Sequence, residues 1–321
     1  MYYNPKNIEN IKKTVCFTRR AKRIAKNADL DHIQKKIYYP NMKMKRDMFL
    51  PWKKKTAYEL GEITGLWYCS FKDRERAFQK GVYSWYDEAF SPDLLGWPEG
   101  KNKTVLGKIL NINRQDEDWI RVDGGFQQKW PMIFSSKGEE EDYQDFFVDF
   151  EWDPDSILYQ IGVFYNGQYE CFWATELNLA CEKILVQQFW DFLSVHKKKR
   201  IWYWVAEVAK WRSVCSAHGL EEMGKATQDW YDMRNMMRDG TIVVKGALDF
   251  QLKSIVSAFQ KQDKIPFSHG ELDCSDGENS ILFAQRYFKD KNIQDKVEIE
   301  KYNRMDCEAM SYILKEIITN A

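Results

Sequence analysis

The sequence contains no run of about 18 apolar residues, the length that a membrane-spanning helix needs. Its N-terminus, MYYNPKNIENIKK, lacks the apolar segment of a secretory signal peptide. The seven cysteines are odd in number and scattered, with no Cys-x-x-Cys pair, so they suggest neither a disulfide framework nor a zinc site. We therefore expect an intracellular protein of a reducing compartment, cytoplasm or nucleus, with no membrane partner.

Net charge is also absent, because 48 basic residues balance 48 acidic ones. The charges are nevertheless separated along the chain. Residues 1–60 contain 16 Lys and Arg against 5 Asp and Glu, a balance of +11, so the other 261 residues carry −11. A basic segment of this kind is attracted to polyanions such as nucleic acids, although lysines that merely solvate exposed helices would give the same count.

The chain is rich in hydrophobic residues (44%) and aromatic residues (15%), which suits a folded protein with a large core. Composition predicts three parts: a basic helical arm over 1–57 with helical stretches around 8–27, a helical region and linker over 58–135, and an α/β domain over 136–321. Within the second part, 60–85 contains two short amphipathic segments joined by a turn. This order is typical of a helix-hairpin-helix motif, but the glycines of such a hairpin are missing.

The third part begins with three β-type runs, at 146–152, 157–165 and 169–173. The last two are separated by Asn166-Gly167, a strong hairpin signal. Helices are then predicted at about 177–196, 206–218, 227–238, 247–260, 277–289 and 296–319, and short strands at 200–204 and 241–244. Three meandering strands followed by alternating helices and strands are the order of elements in a ribonuclease-H-like fold, so we expect a mixed sheet flanked by helices.

Two acids interrupt the first apolar run, FFVDFEW. Strand alternation places Asp149 and Glu151 on one face with Phe147, and places Val148 and Phe150 on the other. Carboxylates two residues apart on a strand can converge on one metal ion or bind one ion each. A half-exposed strand whose acids face water is the alternative, and it is the commoner cause when this pattern stands alone.

The last predicted helix contains an acid within its apolar stripe. Asp306 stands in the middle of that stripe, and Tyr302 lies one turn before it on the same face. An unpaired carboxylate in such a position is costly, so Asp306 needs a cation or several hydrogen-bond donors. A core Lys or Arg, or a position at a seam between domains, would also satisfy it.

A further acid, Glu207, lies in the first helical turn after the predicted strand at 200–204. This is the carboxyl end of the strand, where open α/β sheets place their sites. A Glu in the first turn of a helix also interacts favourably with the helix dipole, which would explain Glu207 without any site.

The order Asp149-x-Glu151, Glu207 and Tyr302-x-x-x-Asp306 resembles the DnaQ-like 3′–5′ exonucleases of the ribonuclease-H-like superfamily, in the subset with a Tyr-x-x-x-Asp third motif. The chain looks closer to the ribonuclease-H-like domain of predicted RecB-family nucleases, which similarly has Glu in its second motif and ends on YN-x-x-DC, here YNRMDC. The segments WYDMRNMM and LDFQLKSIVSAF also look like the middle of that domain. The stretch PNMKMKRDMFLPWKKKTAYELGEITGLWYC (40–69) resembles the region just before the nuclease domain in related proteins of large DNA viruses.

The resemblance implies a Mg²⁺- or Mn²⁺-dependent 3′–5′ exonuclease with two ions about 4 Å apart. The metal-binding carboxylates would be Asp149, Glu151, Glu207 and Asp306. Tyr302 would orient the attacking water. The implied partner is DNA or RNA, bound through a single-stranded 3′ end, in a replication compartment or virion if the protein is viral. Weaker candidates for nucleic-acid contact are Lys197, Lys198, Lys253 and Arg304.

The chain differs from the family in its aromatic second motif, WYWVAEVAK, and in lacking the upstream D…(D/E)-x-K set of RecB-type nucleases. Two other functions therefore remain open. A catalytically silent nucleic-acid-binding or packaging module would bind without metal-dependent cleavage. An interaction protein would use its 49 aromatic residues as partner surfaces, and its Asp149 and Asp306 would lie far apart.

Overall fold

The computed structural model describes residues 40–44, 50–114, 119–134, 143–267, 272–274 and 277–321. The chain divides after Glu99 into two compact units, whereas the predicted boundaries lie at 57/58 and 135/136. The helical stretches predicted around 8–27, like most of the basic arm, lie outside the described residues. None of the described helices is long and apolar enough to cross a membrane.

The first unit is helical where it is described. Its α-helices are α1 (Leu50–Leu60) and α2 (Phe71–Gln79), and it has single 3₁₀ turns at Ile63–Gly65 and Pro92–Leu95. The segment 60–85 thus contains one α-helix where two were expected, because Gly61 and Tyr68 adopt positive φ and turn the backbone. Arg74 and Glu62 form a buried ion pair at 2.9 Å that joins α2 to the preceding turn.

The second unit contains two sheets. β1 (Ile120–Arg121) pairs with β7 (Val243–Val244) in a small antiparallel sheet. The main sheet is formed by β2 (Gln144–Trp152), β3 (Leu158–Tyr165), β4 (Gln168–Trp173), β5 (Lys199–Tyr203) and β6 (Trp230–Asp232), in the spatial order β4-β3-β2-β5-β6. β2, β3 and β4 are an antiparallel meander, and β5 and β6 run parallel to β2. The predicted α/β class and the mixed sheet are confirmed.

Helices connect and cover these strands. They are α3 (Lys101–Arg114), α4 (Phe126–Lys129), α5 (Leu179–Ser194), α6 (Glu207–Ala217), α7 (Glu221–Lys225), α8 (Met233–Asp239), α9 (Leu252–Lys261), α10 (Gly277–Asp290) and α11 (Ile293–Asn320). The helix predicted over 227–238 is wrong in its first half, because Trp230 and Tyr231 pair with β5 as a strand. Asp232 then caps α8 by accepting a hydrogen bond from the Asn235 main-chain nitrogen at 2.9 Å.

The two faces of β2 are packed differently, as the alternation predicted. Phe146 and Phe150 are buried on one face, where the Phe150 ring centre lies 5.9 Å from that of Phe189 in α5 and 6.4 Å from that of Trp211 in α6. Burying a Phe side chain of this kind stabilises the fold by about 1.5–3 kcal/mol. The opposite face of β2 carries Asp149 and is covered by α11. The sheet thus holds its acids beneath the C-terminal helix.

Candidate active site

Asp149 and Glu151 lie side by side on β2, under α11. Asp149 is partly exposed, and Glu151 is only 7% exposed. In the register of the sheet, Asp149 is opposite Gly162 and Glu151 is opposite Gln160 of β3. The alternative of a strand whose acids simply face water is therefore wrong for Glu151, which is buried.

Donors from the two C-terminal helices hold both strand carboxylates. Asn303 Nδ2, on α11, donates to Asp149 Oδ2 at 2.8 Å and to the Asp149 main-chain oxygen at 3.0 Å. Ser280 Oγ, in the first turn of α10, donates to Glu151 Oε2. The Tyr159 hydroxyl lies 3.0 Å from the same Ser280 oxygen. Each acid is thus oriented by a buried polar neighbour.

The buried face of α11 presents Tyr302 and Asp306 to the same region. Asp306 is 5% exposed, and the Tyr302 hydroxyl donates a hydrogen bond to its carboxylate. Burial and the nearby acids raise the pKa of Tyr302, so this hydroxyl keeps its proton. The expected placement of Tyr302 one turn from Asp306 on one helix face is confirmed.

Glu207 reaches the site from a strained turn between β5 and α6. Val205 in this turn has φ of 86°, an outlier for a β-branched residue, and such strain clusters at functional sites. Glu207 is 4% exposed and accepts hydrogen bonds from its own main-chain N–H and that of Ala206. Among the described residues, nothing donates to its Oε2. A bound cation would satisfy this buried oxygen.

The four carboxylates act on one another electrostatically. Burial raises the pKa of Asp149 well above its ordinary value, and the charges of Asp306, Glu151 and Glu207 raise it further, whereas Lys253 lowers it. Burial likewise raises the pKa of Glu151 to about 8 and that of Glu207 to about 8. The site therefore holds protons at neutral pH. Because the charge of Asp306 acts on Asp149, the two acids are not far apart, contrary to what the interaction-protein hypothesis requires.

The ligands that this site offers are carboxylate oxygens, the hard donors that Mg²⁺ and Mn²⁺ favour. In the described part of the chain, no three His, Cys, Asp or Glu side chains converge as a ready cage for an ion. The features that fit a cation are the unsatisfied Glu207 oxygen and the mutual repulsion of the acids.

Two of the basic candidates lie in different places relative to the acids. Lys253, in the first turn of α9, has its Nζ 4.8 Å from the centre of the Tyr302 ring, and its charge lowers the pKa of both strand acids. Arg304 is exposed on the outer side of α11, where its Nε lies 3.5 Å from Glu308 Oε2. Lys253 is thus beside the site and Arg304 points away from it.

Lys197 and Lys198 lie at the other end of the sheet. They precede β5, whose first residues pair with Gln144 and Asp145, well before the acids of β2. The neighbouring Arg200 is not available for nucleic acid, because the Asp145 carboxylate accepts from its Nε at 2.7 Å and from its Nη2 at 2.8 Å.

Three polar residues of the site were not singled out from the sequence. Asn303 and Ser280 hold the strand acids, and Asp232 adds a negative charge beside Glu207 and raises its pKa. Asn303 stands inside the YNRMDC segment and Asp232 inside WYDMRNMM, so a signal existed for both. Nothing in the sequence around Ser280 marks it out.

Comparison with known proteins finds no match for this chain. No family model fits the sequence, and no curated protein or solved structure is similar to it. The functional proposal therefore depends on the fold of the second unit, on the geometry of the acids and on the resemblance of the motifs that carry them.

Proposed function

We propose that the protein is a metal-dependent nuclease that hydrolyses phosphodiester bonds, of the DnaQ-like 3′–5′ exonuclease kind. The observation that carries this proposal is that four buried or half-buried carboxylates from β2, α6 and α11 interact electrostatically, next to the hydroxyl of Tyr302. Asp149, Glu151 and Glu207 have raised pKa values, and neighbouring acids of this kind are typical of functional sites.

The architecture also supports the proposal. An antiparallel meander followed by helix-connected parallel strands is the order of elements in a ribonuclease-H-like fold. The acids lie on the first strand of that sheet, just after β5, and on the C-terminal helix. These are the places where the resemblance puts the first, second and third motifs, so the sequence and the fold favour one assignment.

The chemistry would divide among the named residues as follows. Asp149, Glu151, Glu207 and Asp306 would hold Mg²⁺ or Mn²⁺, which would supply an activated water and stabilise the leaving 3′ oxygen. Tyr302 would orient the attacking water. The Lys253 ammonium group, beside the strand acids, is suited to a phosphate oxygen of the substrate.

Protonation would couple to metal binding. Glu151 and Glu207, each with a pKa of about 8, must release their protons before they ligate an ion. Metal affinity should therefore rise with pH between about pH 7 and 9, where both carboxyls ionise. This linkage would make cleavage slower at acid pH even when the substrate is bound.

A second candidate function is a catalytically silent nucleic-acid-binding module with the same fold. It is favoured by the finding that, over the described ranges, no three potential ligands form a ready metal cage. The aromatic second motif WYWVAEVAK also differs from that of the exonucleases. Such a module would bind strands equally well with and without a divalent metal.

A cleavage assay separates the two functions. The full chain and Asp149→Ala are incubated with end-labelled DNA and RNA, single- and double-stranded, in Mg²⁺, Mn²⁺ or EDTA. Asp155→Ala is the matched control, since Asp155 is an exposed acid just beyond the same strand. Metal-dependent shortening that is lost in Asp149→Ala and kept in Asp155→Ala supports the nuclease. Binding without cleavage by the wild type would favour the silent module.

A further inference from the structure

Helix α11 meets the sheet at Gly162, the residue of β3 that lies opposite Asp149. A Cβ at this position would lie 1.6 Å from Asn303 Oδ1 and 2.8 Å from the hydroxyl oxygen of Tyr169. No side chain larger than hydrogen fits there without displacing Asn303. The absent side chain leaves the space that the fully buried amide of Asn303 occupies.

Every polar atom of the Asn303 side chain has a partner. Its Nδ2 donates to the Oδ2 and to the main-chain oxygen of Asp149, at 2.8 and 3.0 Å. Its Oδ1 accepts from the Tyr169 hydroxyl at 2.9 Å and from Cys307 Sγ at 3.7 Å. Because the oxygen is committed to two donors, the NH₂ group must face Asp149, which fixes the orientation of the amide.

We propose that Asn303 is a positioning residue for Asp149. By binding Oδ2 and the main chain of Asp149 at once, the amide locks the rotamer of this carboxylate and leaves Oδ1 to face a cation. The Tyr169 hydroxyl orients this amide by donating to Asn303 Oδ1 and does not itself bind Asp149. The inference rests on the proposed nuclease function, because the cation in question is the metal ion that this function requires.

A purely structural role explains the geometry less well. An apolar side chain would fill the space above Gly162 without burying an amide, whose desolvation is costly unless all its hydrogen bonds are made. Here those bonds are made, and two of them end on Asp149, one of the acids of the cluster. Outer partners that orient metal ligands typically change metal affinity when they are removed.

The test compares the affinity of the full chain for Mn²⁺, measured by calorimetry, among four proteins. Asn303→Leu should bind Mn²⁺ about 10–100-fold more weakly than the wild type. Tyr169→Phe, which loses only the orienting hydroxyl, should weaken binding in the same direction by less. Asn320→Leu, the same change at an exposed position of α11, should leave the affinity unchanged.

A folded Asn303→Leu protein with the Mn²⁺ affinity of the wild type overturns the inference. If Asn303→Leu does not fold, Tyr169→Phe decides in its place, because this change removes only a hydroxyl and keeps the ring. An unchanged Mn²⁺ affinity in Tyr169→Phe then overturns the inference.

Failure of the nuclease proposal gives a different result. If the wild type binds no Mn²⁺, that proposal fails, and melting temperatures in EDTA then decide the role of Asn303. Asn303→Leu should lower the melting temperature less in an Asp149→Ala background than in the wild type, because the interaction partner is already gone. Equal shifts in both backgrounds mean that the two side chains do not interact, and they overturn the inference.

Discussion

Replacing Glu207 by Gln should make the metal-free protein more stable at neutral and alkaline pH. Glu207 is 4% exposed, and within the described residues its Oε2 receives no hydrogen bond. Burial, together with the charges of Asp232 and Asp306, raises the pKa of Glu207 from its ordinary value of 4.5 to about 8. A buried carboxyl with a raised pKa destabilises the folded protein at any pH where the unfolded chain carries it ionised. Gln has nearly the same shape as Glu but carries no charge, so it removes this destabilisation.

The expected size follows from proton linkage. At pH 7 the carboxyl of Glu207 is mostly protonated in the folded protein and ionised in the unfolded chain. The pKa of Glu207 is about 8 in the folded protein and 4.5 in the unfolded chain. At about 1.4 kcal/mol per pKa unit, this difference lowers the free energy of unfolding at pH 7 by on the order of 3 kcal/mol. The cost grows to on the order of 5 kcal/mol above the folded-state pKa and vanishes below about pH 4.5, where both states are protonated.

Urea unfolding of the full chain in EDTA at pH 5, 7 and 9 measures this effect. Glu207→Gln should gain free energy of unfolding at pH 7 and more at pH 9, with little change at pH 5. Glu221→Gln, an exposed Glu in the first turn of α7, is the matched control and should behave as the wild type. A Glu207→Gln protein less stable than the wild type at pH 9 would refute the reasoning.

Three other substitutions test separate parts of the site. Tyr302→Phe removes the hydroxyl that donates to Asp306 and should lower the rate constant of Mg²⁺-dependent cleavage by about 100-fold. An unchanged rate constant would exclude a role of this hydroxyl in catalysis. Ser280→Ala removes the donor to Glu151 and should raise the Mg²⁺ concentration for half-maximal cleavage by about tenfold, whereas Ser280→Thr should restore it. Arg304→Gln, on the exposed side of α11, should leave strand affinity within about twofold of the wild type in a filter-binding assay. A larger loss of strand affinity would mean that Arg304 contacts the nucleic acid.

The main sheet is largely predictable from the sequence because its signals are local. Apolar alternation in 146–152 marks β2, and Asn166-Gly167 marks the β3–β4 hairpin, where both residues adopt the positive φ of a tight turn. The helix predicted over 227–238 fails because β6 exists through its pairing with β5, a contact between distant parts of the chain. A sequence window contains no trace of that pairing.

The acids of the site are predictable for a related reason. Asp149, Glu151 and Asp306 each interrupt an apolar pattern, so each is conspicuous by itself. Ser280 and Asn303 reach Glu151 and Asp149 only because two helices dock on the sheet. The position of Asn303 depends in particular on the missing side chain of Gly162 on another strand, which no local pattern reveals.

Shortening of a 5′-labelled single strand in Mg²⁺ by the wild type and by Asp306→Asn tests the nuclease assignment most directly. Asp306 lies on the buried face of α11, so its replacement changes the acid cluster without changing the exposed surface. The wild type should produce a ladder of products shortened from the 3′ end. Asp306→Asn should cleave at least about 100-fold more slowly and bind the strand in EDTA as tightly as the wild type. Cleavage by Asp306→Asn at the wild-type rate, or no metal-dependent cleavage by the wild type, would contradict the assignment.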